Sequence, residues 1–312
     1  MEPVILTRNL TASGFDAHEL ARMQRRGEVI RVRRGAYVSA QPDSDDSDDH
    51  VARAARLAAR HRQLIEGTLP QLHPRAVISH GSAALLHDLP VFPEAVRRLH
   101  LTRDRDGGGV RRSLVHVHGS VLPGEDVTVV DQIPVTSLAR TVVDLARTLP
   151  YEQAVAVGDR ALAHGLDTAD LAVAVDRARR RSGAAQARRV AAFIDGRSES
   201  VGESFSRVRF DQDGIPTPEP QHEVYDDRGL FVARSDFGWT TSRTLGEFDG
   251  REKYLRMRRP GESIEAFVLR EKQREDALRD LGWQVVRWVW ADLFRPGVIA
   301  DRLERAFKRA RT

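Results

Sequence analysis

The sequence predicts a multidomain chain of the α/β (α+β) class, and three observations predict it. Its 312 residues exceed what one ordinary hydrophobic core organises. Helix-periodic runs alternate with short strand-like runs along most of the length. The composition also breaks at "QPDSDDSDDH", where five aspartates, two serines and a proline fall within ten residues. Such a stretch cannot bury apolar surface and reads as a linker. Four parts are expected: a small basic domain at 1–40, the acidic linker at 41–50, a mixed α/β middle region at 51–197, and a C-terminal domain at 198–312.

Composition narrows the function. The chain has no cysteine, which excludes disulfides, thiolate metal sites and cysteine catalysis. No apolar run reaches the roughly 18 residues of a membrane span. The first residues lack the basic-then-apolar layout of a signal peptide. A cytoplasmic protein with no membrane partner is expected. The net charge is +4, and nearly all of the positive charge is arginine; only Lys253, Lys272 and Lys308 are lysines. Genomic base composition accounts for the bias, so the placement of the arginines is the informative part.

Within 1–40, "NLTASGFDAHELARMQRRGEVIRVRRGAYVSA" predicts a short helix, a turn at Gly14 and a second helix. Asp16 caps that second helix, with Glu19 three residues later completing a capping box. Leu20 and Met23 supply its apolar face and Gly27 ends it. The strands "EVIRV" and "GAYVS", joined by "RRG", complete the layout of a winged helix-turn-helix. Arg22, Arg25, Arg26, Arg31, Arg33 and Arg34 fall on the second helix and the wing. There they suit base and phosphate contacts to double-stranded DNA.

In the middle region "HVARAARLAARHRQLI" predicts a helix, and "RAVISHGSAALLHDLPV" a strand followed by a helix from near Ser79. "RRLHLTRD" and "SLVHVHGS" predict strands on either side of the turn "DGGGVR". A helix capped by Ser137 follows, then further helices, the last two on either side of Gly183. His80, His87, His100, His116 and His118 are scattered through this region. The spacing of His116 and His118 puts both on one strand face, which can serve a metal. No further ligand follows from the sequence, so these histidines are read as half-buried polar residues of a scaffold. His80-Gly81-Ser82 lacks the acid partner and the elbow context of a catalytic nucleophile.

"RRGEVIRVRRGAYV", "VISHGSAALLHDLP" and "IPVTSLARTVVDLA" together resemble the AbiEi-type antitoxin family of type IV toxin–antitoxin systems, over roughly residues 5–165. The resemblance implies an N-terminal winged helix that binds operator DNA and represses the operon. It also implies a remainder that neutralises a nucleotidyltransferase-like toxin. By the same resemblance Arg22, Arg25, Arg26, Arg33 and Arg34 contact DNA.

From 198 onward the reading changes. "SVGESFSRVRF" predicts a helix carrying Glu203, and "PEPQHEVYD", "GLFVARSDFGW" and "RTLGEFDG" predict strands. "FVLREKQREDALRDLGW" predicts a helix with Leu269, Ala277, Leu278 and Leu281 inward and a solvated face that includes a Glu275–Arg279 pair. "QVVRWVW" closes as a strand, with Trp283, Trp288 and Trp290 in the core. This αβββαβ order is similar to restriction-endonuclease-like nucleases, particularly the very-short-patch-repair branch.

In the nuclease reading Asp236 and Glu247 sit on a hairpin and hold Mg²⁺ or Mn²⁺. Asp249, two residues after Glu247, shares its face. Glu203 approaches from the preceding helix, and Lys253 orients water or stabilises the transition state. The position of the usual lysine, two residues after the second acid, is occupied by Asp249. Two readings stand. One is a regulator with an inactive nuclease-like domain, its acids paired with Arg234, Arg243 and Arg251. The other is a Mg²⁺-dependent DNA endonuclease targeted by its winged helix.

Overall fold

A computed structural model describes residues 5–7, 17–39, 50–105, 108–250 and 263–309. The chain divides into two compact units, Met1–Leu149 with Leu166–Arg188, and Pro150–Gly165 with Arg189–Thr312. The expected first helix, its turn at Gly14, the Asp16 cap and residues 41–49 of the acidic stretch lie outside the described residues.

The first unit begins with β1 (Ile5–Leu6), α1 (Ala17–Arg25), β2 (Val29–Arg33) and β3 (Ala36–Ser39). The strands form an antiparallel sheet in the order β1-β3-β2. Val29, Ala36 and Val38 are buried in it, and Leu20 is the buried residue of α1. Gly27 ends α1 with φ +72° and Gly35 turns the hairpin with φ +81°, both conformations that favour glycine.

α2 (His50–Thr68) leads to a six-stranded mixed sheet. Its elements are β4 (Ala76–Ile78), α3 (His80–Leu86), β5 (Leu99–Arg103), β6 (Val110–Arg111), β7 (Val115–Gly119), β8 (Val127–Val130) and β9 (Ile133–Thr136). The strand order is β6-β7-β5-β4-β9-β8. β5 and β7 do not form a hairpin around the glycine-rich segment. The short β6 pairs antiparallel with β7, and β7 then lies parallel to β5, with His100 opposite His116 and Thr102 opposite His118. Leu99, Leu101, Val115 and Val117 join Ile65, Ile78 and Val135 in the apolar core. Since alternate strand residues project to opposite faces, the histidines of β5 and β7 share the other face. Burial holds the His100 ring down to about 3 and the His118 ring to about 2, so both stand neutral near pH 7.

Four helices follow: α4 (Leu138–Ala146), α5 (Tyr151–Ala163), α6 (Thr168–Arg177) and α7 (Ala184–Phe193). Ser137 caps α4, accepting from the Arg140 N–H. "IPVTSLARTVVDLA" acquires a physical explanation here. The Arg140 guanidinium is buried and donates to Asp144 at 2.8 Å, Asp126 at 2.7 Å and Ser120 at 2.7 Å. Arg177 on α6 reaches the other Asp126 oxygen at 2.8 Å, and Arg147 pairs with Asp144 at 3.1 Å. This network ties α4 and α6 to the chain around 120–126. Gly183 precedes α7 with φ +79°, and a side chain there would meet the Arg147 carbonyl.

Of these four helices, α5 and the end of α7 belong to the second unit. They are followed there, in order, by α8 (Val201–Gln212), β10 (Glu219–Tyr225), β11 (Phe231–Trp239), β12 (Thr244–Phe248), α9 (Ile264–Asp280) and β13 (Gln284–Trp288). The sheet runs β10-β11-β12-β13, antiparallel except for the parallel β12/β13 pair, which α9 joins as a crossover. α10 (Trp290–Leu293) and α11 (Val298–Arg309) complete it. Phe210, Phe237, Trp239, Phe248 and Trp288 form an aromatic core with Ile299 and Leu303 of α11. Leu245, Leu278 and Trp283 form a second cluster.

The expected inward stripe of α9 needs one correction. Leu278 is fully buried, but Leu269 is 57% exposed, and Phe267 takes the buried position instead. The Glu275–Arg279 pair forms as expected.

Candidate functional site

Two sets of residues carry the functional expectation, one in each unit. Arg22 and Arg25 of α1 and Arg26 just after it are exposed; Arg25 and Arg26 follow Arg22 by three and four residues, which puts them on its side of the helix. Arg31 and Arg34 are exposed on the β2–β3 hairpin, while Arg33 lies in β2. Arg26 is 3.7 Å from Glu28, an exposed pair that solvent screens and phosphate can displace. α1 packs against β2, and Leu20 and Val29 are both buried, so five exposed guanidinium groups are carried by one small folded element.

The carboxylates of the second unit are arranged less simply. Pairing of Phe237 with Gly246 places Asp236 and Glu247 on adjacent strands, as the hairpin spacing predicts. Both are buried, and so is Glu203. Their partners differ. Asp236 Oδ2 accepts from the Phe248 N–H at 2.8 Å. Glu247 is clamped: Arg274 of α9 donates to its two oxygens at 2.9 and 3.2 Å, and Arg287, its neighbour on β13, donates at 3.0 Å. The anticipated partners are engaged elsewhere, Arg234 with Glu199 and Arg243 with the Leu281 carbonyl. Arg251 and Lys253 lie outside the described residues. Asp249 stands just beyond β12, its N–H donating to the Trp288 carbonyl.

Glu203 belongs to the first turn of α8. Its backbone N–H donates to Ser200 Oγ, and its carboxylate accepts from Ser200 Oγ at 2.7 Å and from the Glu199 N–H at 2.9 Å. Gln221 donates to the same carboxylate at 2.7 Å from a left-handed backbone with φ +54°. Gly202 allows the Phe248 ring to lie against the start of α8, where any Cβ would collide with it. Burial, and then the charge of Asp236, push the Glu203 carboxyl from 4.5 up to about 7.

A stability test follows from this shift. Below the unfolded value Glu203 is protonated in both states and contributes no penalty. As pH rises from about 4.5 to 7 only the unfolded chain releases the proton, and the penalty levels off near 3 kcal/mol above that window. Glu203→Gln is therefore expected to flatten the decline of stability between pH 5 and 8, measured by urea unfolding. An unchanged slope would refute the assignment.

A divalent cation needs several converging oxygens. Asp236, Glu247 and Asp249 do not gather so: among the described residues, the group of three whose ligand atoms lie within 4.8 Å of one another is His80, His100 and His118. The charge of Asp236 acts on Glu203. Sequence reasoning missed Arg274, Arg287 and Gln221, which lie on distant elements; no local pattern marks them.

Comparison with known proteins places the chain in two steps. Residues 3–40 match the family described as transcriptional regulator, AbiEi antitoxin. Over most of its length, the chain is 31% identical over 287 residues to the uncharacterized protein Rv2248 of Mycobacterium tuberculosis strain H37Rv, covering 91% of this chain and 94% of that protein. The uncharacterized protein MT2308 of strain CDC 1551 / Oshkosh matches to the same extent. The chain belongs to the family of these mycobacterial proteins. Among solved structures, the crystal structure of the RV2827C protein from Mycobacterium tuberculosis overlaps with a TM-score of 0.38 at 13% identity, over 73% of this chain and 85% of that one. A likeness of that size carries no argument.

Proposed function

We propose that the protein is a DNA-binding transcriptional regulator of antitoxin type, which grips double-stranded DNA with α1 and the β2–β3 hairpin as a winged helix. The observation that carries this reading is the set of exposed arginines on the segment that matches the AbiEi antitoxin regulators. Guanidinium groups on one helix side and one hairpin suit base edges and phosphates together. An antitoxin also needs a toxin, and a nucleotidyltransferase-like toxin is the partner the resemblance supplies.

The test is fluorescence anisotropy on a duplex from the gene's own promoter at several salt concentrations. Arg25→Ala/Arg26→Ala is expected to weaken binding at least about tenfold and to lower the salt slope by about two, as loss of two phosphate contacts does. Unchanged affinity and slope would show that α1 does not face DNA.

A second reading, a Mg²⁺- or Mn²⁺-dependent DNA endonuclease built on a restriction-endonuclease-like domain, is favoured by one observation. Glu203 and Asp236 are both buried, and they lie close enough for the charge of Asp236 to raise the Glu203 carboxyl. A bound cation would be held by Glu203 and Asp236, with Glu247 occupied by its arginines. Millimolar Mg²⁺ or Mn²⁺ should then remove the pH slope attributed to Glu203, and a slope indifferent to both ions would rule this reading out.

A further inference from the structure

The middle region holds a cluster that DNA binding does not use. His80 opens α3, His100 sits on β5, and His116 and His118 sit on β7. The His80 and His118 rings stack at 3.7 Å between centroids, only 13° from parallel, and the His116 ring lies 3.8 Å from His118. His100 Nδ1 and His118 Nε2 are 3.0 Å apart. We propose that His80, His100 and His118 form a binding site for one divalent transition metal of the zinc class, with a fourth coordination position open.

Three features support the site. The ligand nitrogens of the three residues all lie within 4.8 Å of one another. Two imidazole nitrogens on one tetrahedral zinc, each about 2.0–2.1 Å from the ion, stand about 3.3 Å apart. The 3.0 Å His100–His118 hydrogen bond therefore opens only slightly when its proton gives way to the ion, while the His80 ring turns out of its stack on His118 to aim its in-plane lone pair at the same ion.

The ligands are also oriented from outside. His80 Nδ1 is 3.0 Å from Ser79 Oγ, which leaves Nε2 for the ion, as an outer partner does for a ligating histidine. The His100 backbone N–H donates to Ser82 Oγ at 2.9 Å, and His61 holds that hydroxyl at 2.8 Å. His80 keeps φ +51°, a left-handed backbone uncommon outside glycine, and a side chain at Gly81 would run into the Ala95 carbonyl. The chain thus accepts a strained backbone at the residue that brings the third imidazole to the sheet.

Finally, Thr102, fully buried beside His118 in register, has a hydroxyl with no hydrogen-bond partner. A metal-bound water on this face would meet it. Three imidazoles suit zinc, cobalt or nickel better than magnesium or calcium, which take oxygen ligands. Three protein ligands with one open position is the layout of sites that act on a bound water rather than purely structural ones.

The experiment uses the full chain without a histidine tag, stripped with chelator and dialysed, then titrated with Co²⁺. The expected result is a visible ligand-field band of four-coordinate intensity that saturates at one ion per chain and disappears on adding Zn²⁺. His118→Gln and His100→Gln are expected to weaken binding by more than the roughly 10–100-fold that loss of an outer partner costs. His164→Gln, at an exposed histidine on another element, should leave the titration unchanged. Binding that survives both ligand substitutions overturns the proposal. So does a parent protein that gives no band and no rise in melting temperature with Zn²⁺, a measurement that holds even if the variants fail to fold.

Discussion

Arg140→Met is expected to destabilise the protein by about 3 kcal/mol, at the low end of the cost of breaking a buried ion pair from one side. The substitution keeps most of the side-chain volume and removes only the guanidinium. What remains is Asp144, 1% exposed, and Asp126, 4% exposed, each stripped of its shortest charged contact. The loss is not larger because Arg147 still pairs with Asp144 and Arg177 with Asp126. The guanidinium pays a desolvation cost of its own, and the two carboxylates outweigh it, since Arg140 is held above its usual value despite burial.

Urea unfolding followed by circular dichroism reads the effect. Adding Asp144→Asn to the methionine variant removes one of the stranded charges and should recover about half of the loss, a coupling typical of residues in one network. If the double variant is no better than the sum of its parts, packing rather than charge accounts for Arg140.

Much of the architecture was legible because it is local. The hairpin that carries Asp236 and Glu247 follows from strand-length runs around one turn, and Phe237 does pair with Gly246. α3 begins just after Ser79, and α4 after Ser137, where the sequence places them; the Ser137 cap acts within three residues. What failed was non-local.

The partners of Glu247 come from 27 and 40 residues away, on α9 and β13, while the nearby Arg234 and Arg243 bond elsewhere. The histidine cluster was hidden for the same reason. Period two pairs His116 with His118, but only the parallel β5/β7 register and the start of α3 bring in His100 and His80. Charge on a helix misled as well: Arg274 belongs to an apparently solvated face, yet it is the residue that turns inward to the buried acid.

Trp288→Ala is expected to cost about 3–5 kcal/mol, the range for removing a large aromatic from a core. Trp288 is 1% exposed, its Nε1–H donates to Ser206 Oγ at 2.7 Å, and Phe210 and Phe237 pack on it at 5.5 and 5.8 Å. Its strand also positions the candidate acids: Arg287 beside it holds Glu247, and its carbonyl accepts from the Asp249 N–H. Trp288→Phe should cost only about 1–2 kcal/mol, because a ring remains and Ser206 Oγ keeps its bond to the Gly202 carbonyl.

The decisive comparison involves Gly246 across the β12/β13 pair. A Cβ built there would lie 2.6 Å from the Trp288 ring and 2.9 Å from that of Trp239. Gly246→Ala alone should therefore destabilise by overpacking, about 1–3 kcal/mol. Combined with Trp288→Phe the smaller ring vacates part of that space, and the double variant should be less destabilised than the sum of the two by at least about 0.5 kcal/mol. Strict additivity would mean that the glycine is needed for its backbone and not for the indole, and the close aromatic packing that sets the β12/β13 register would lose its explanation.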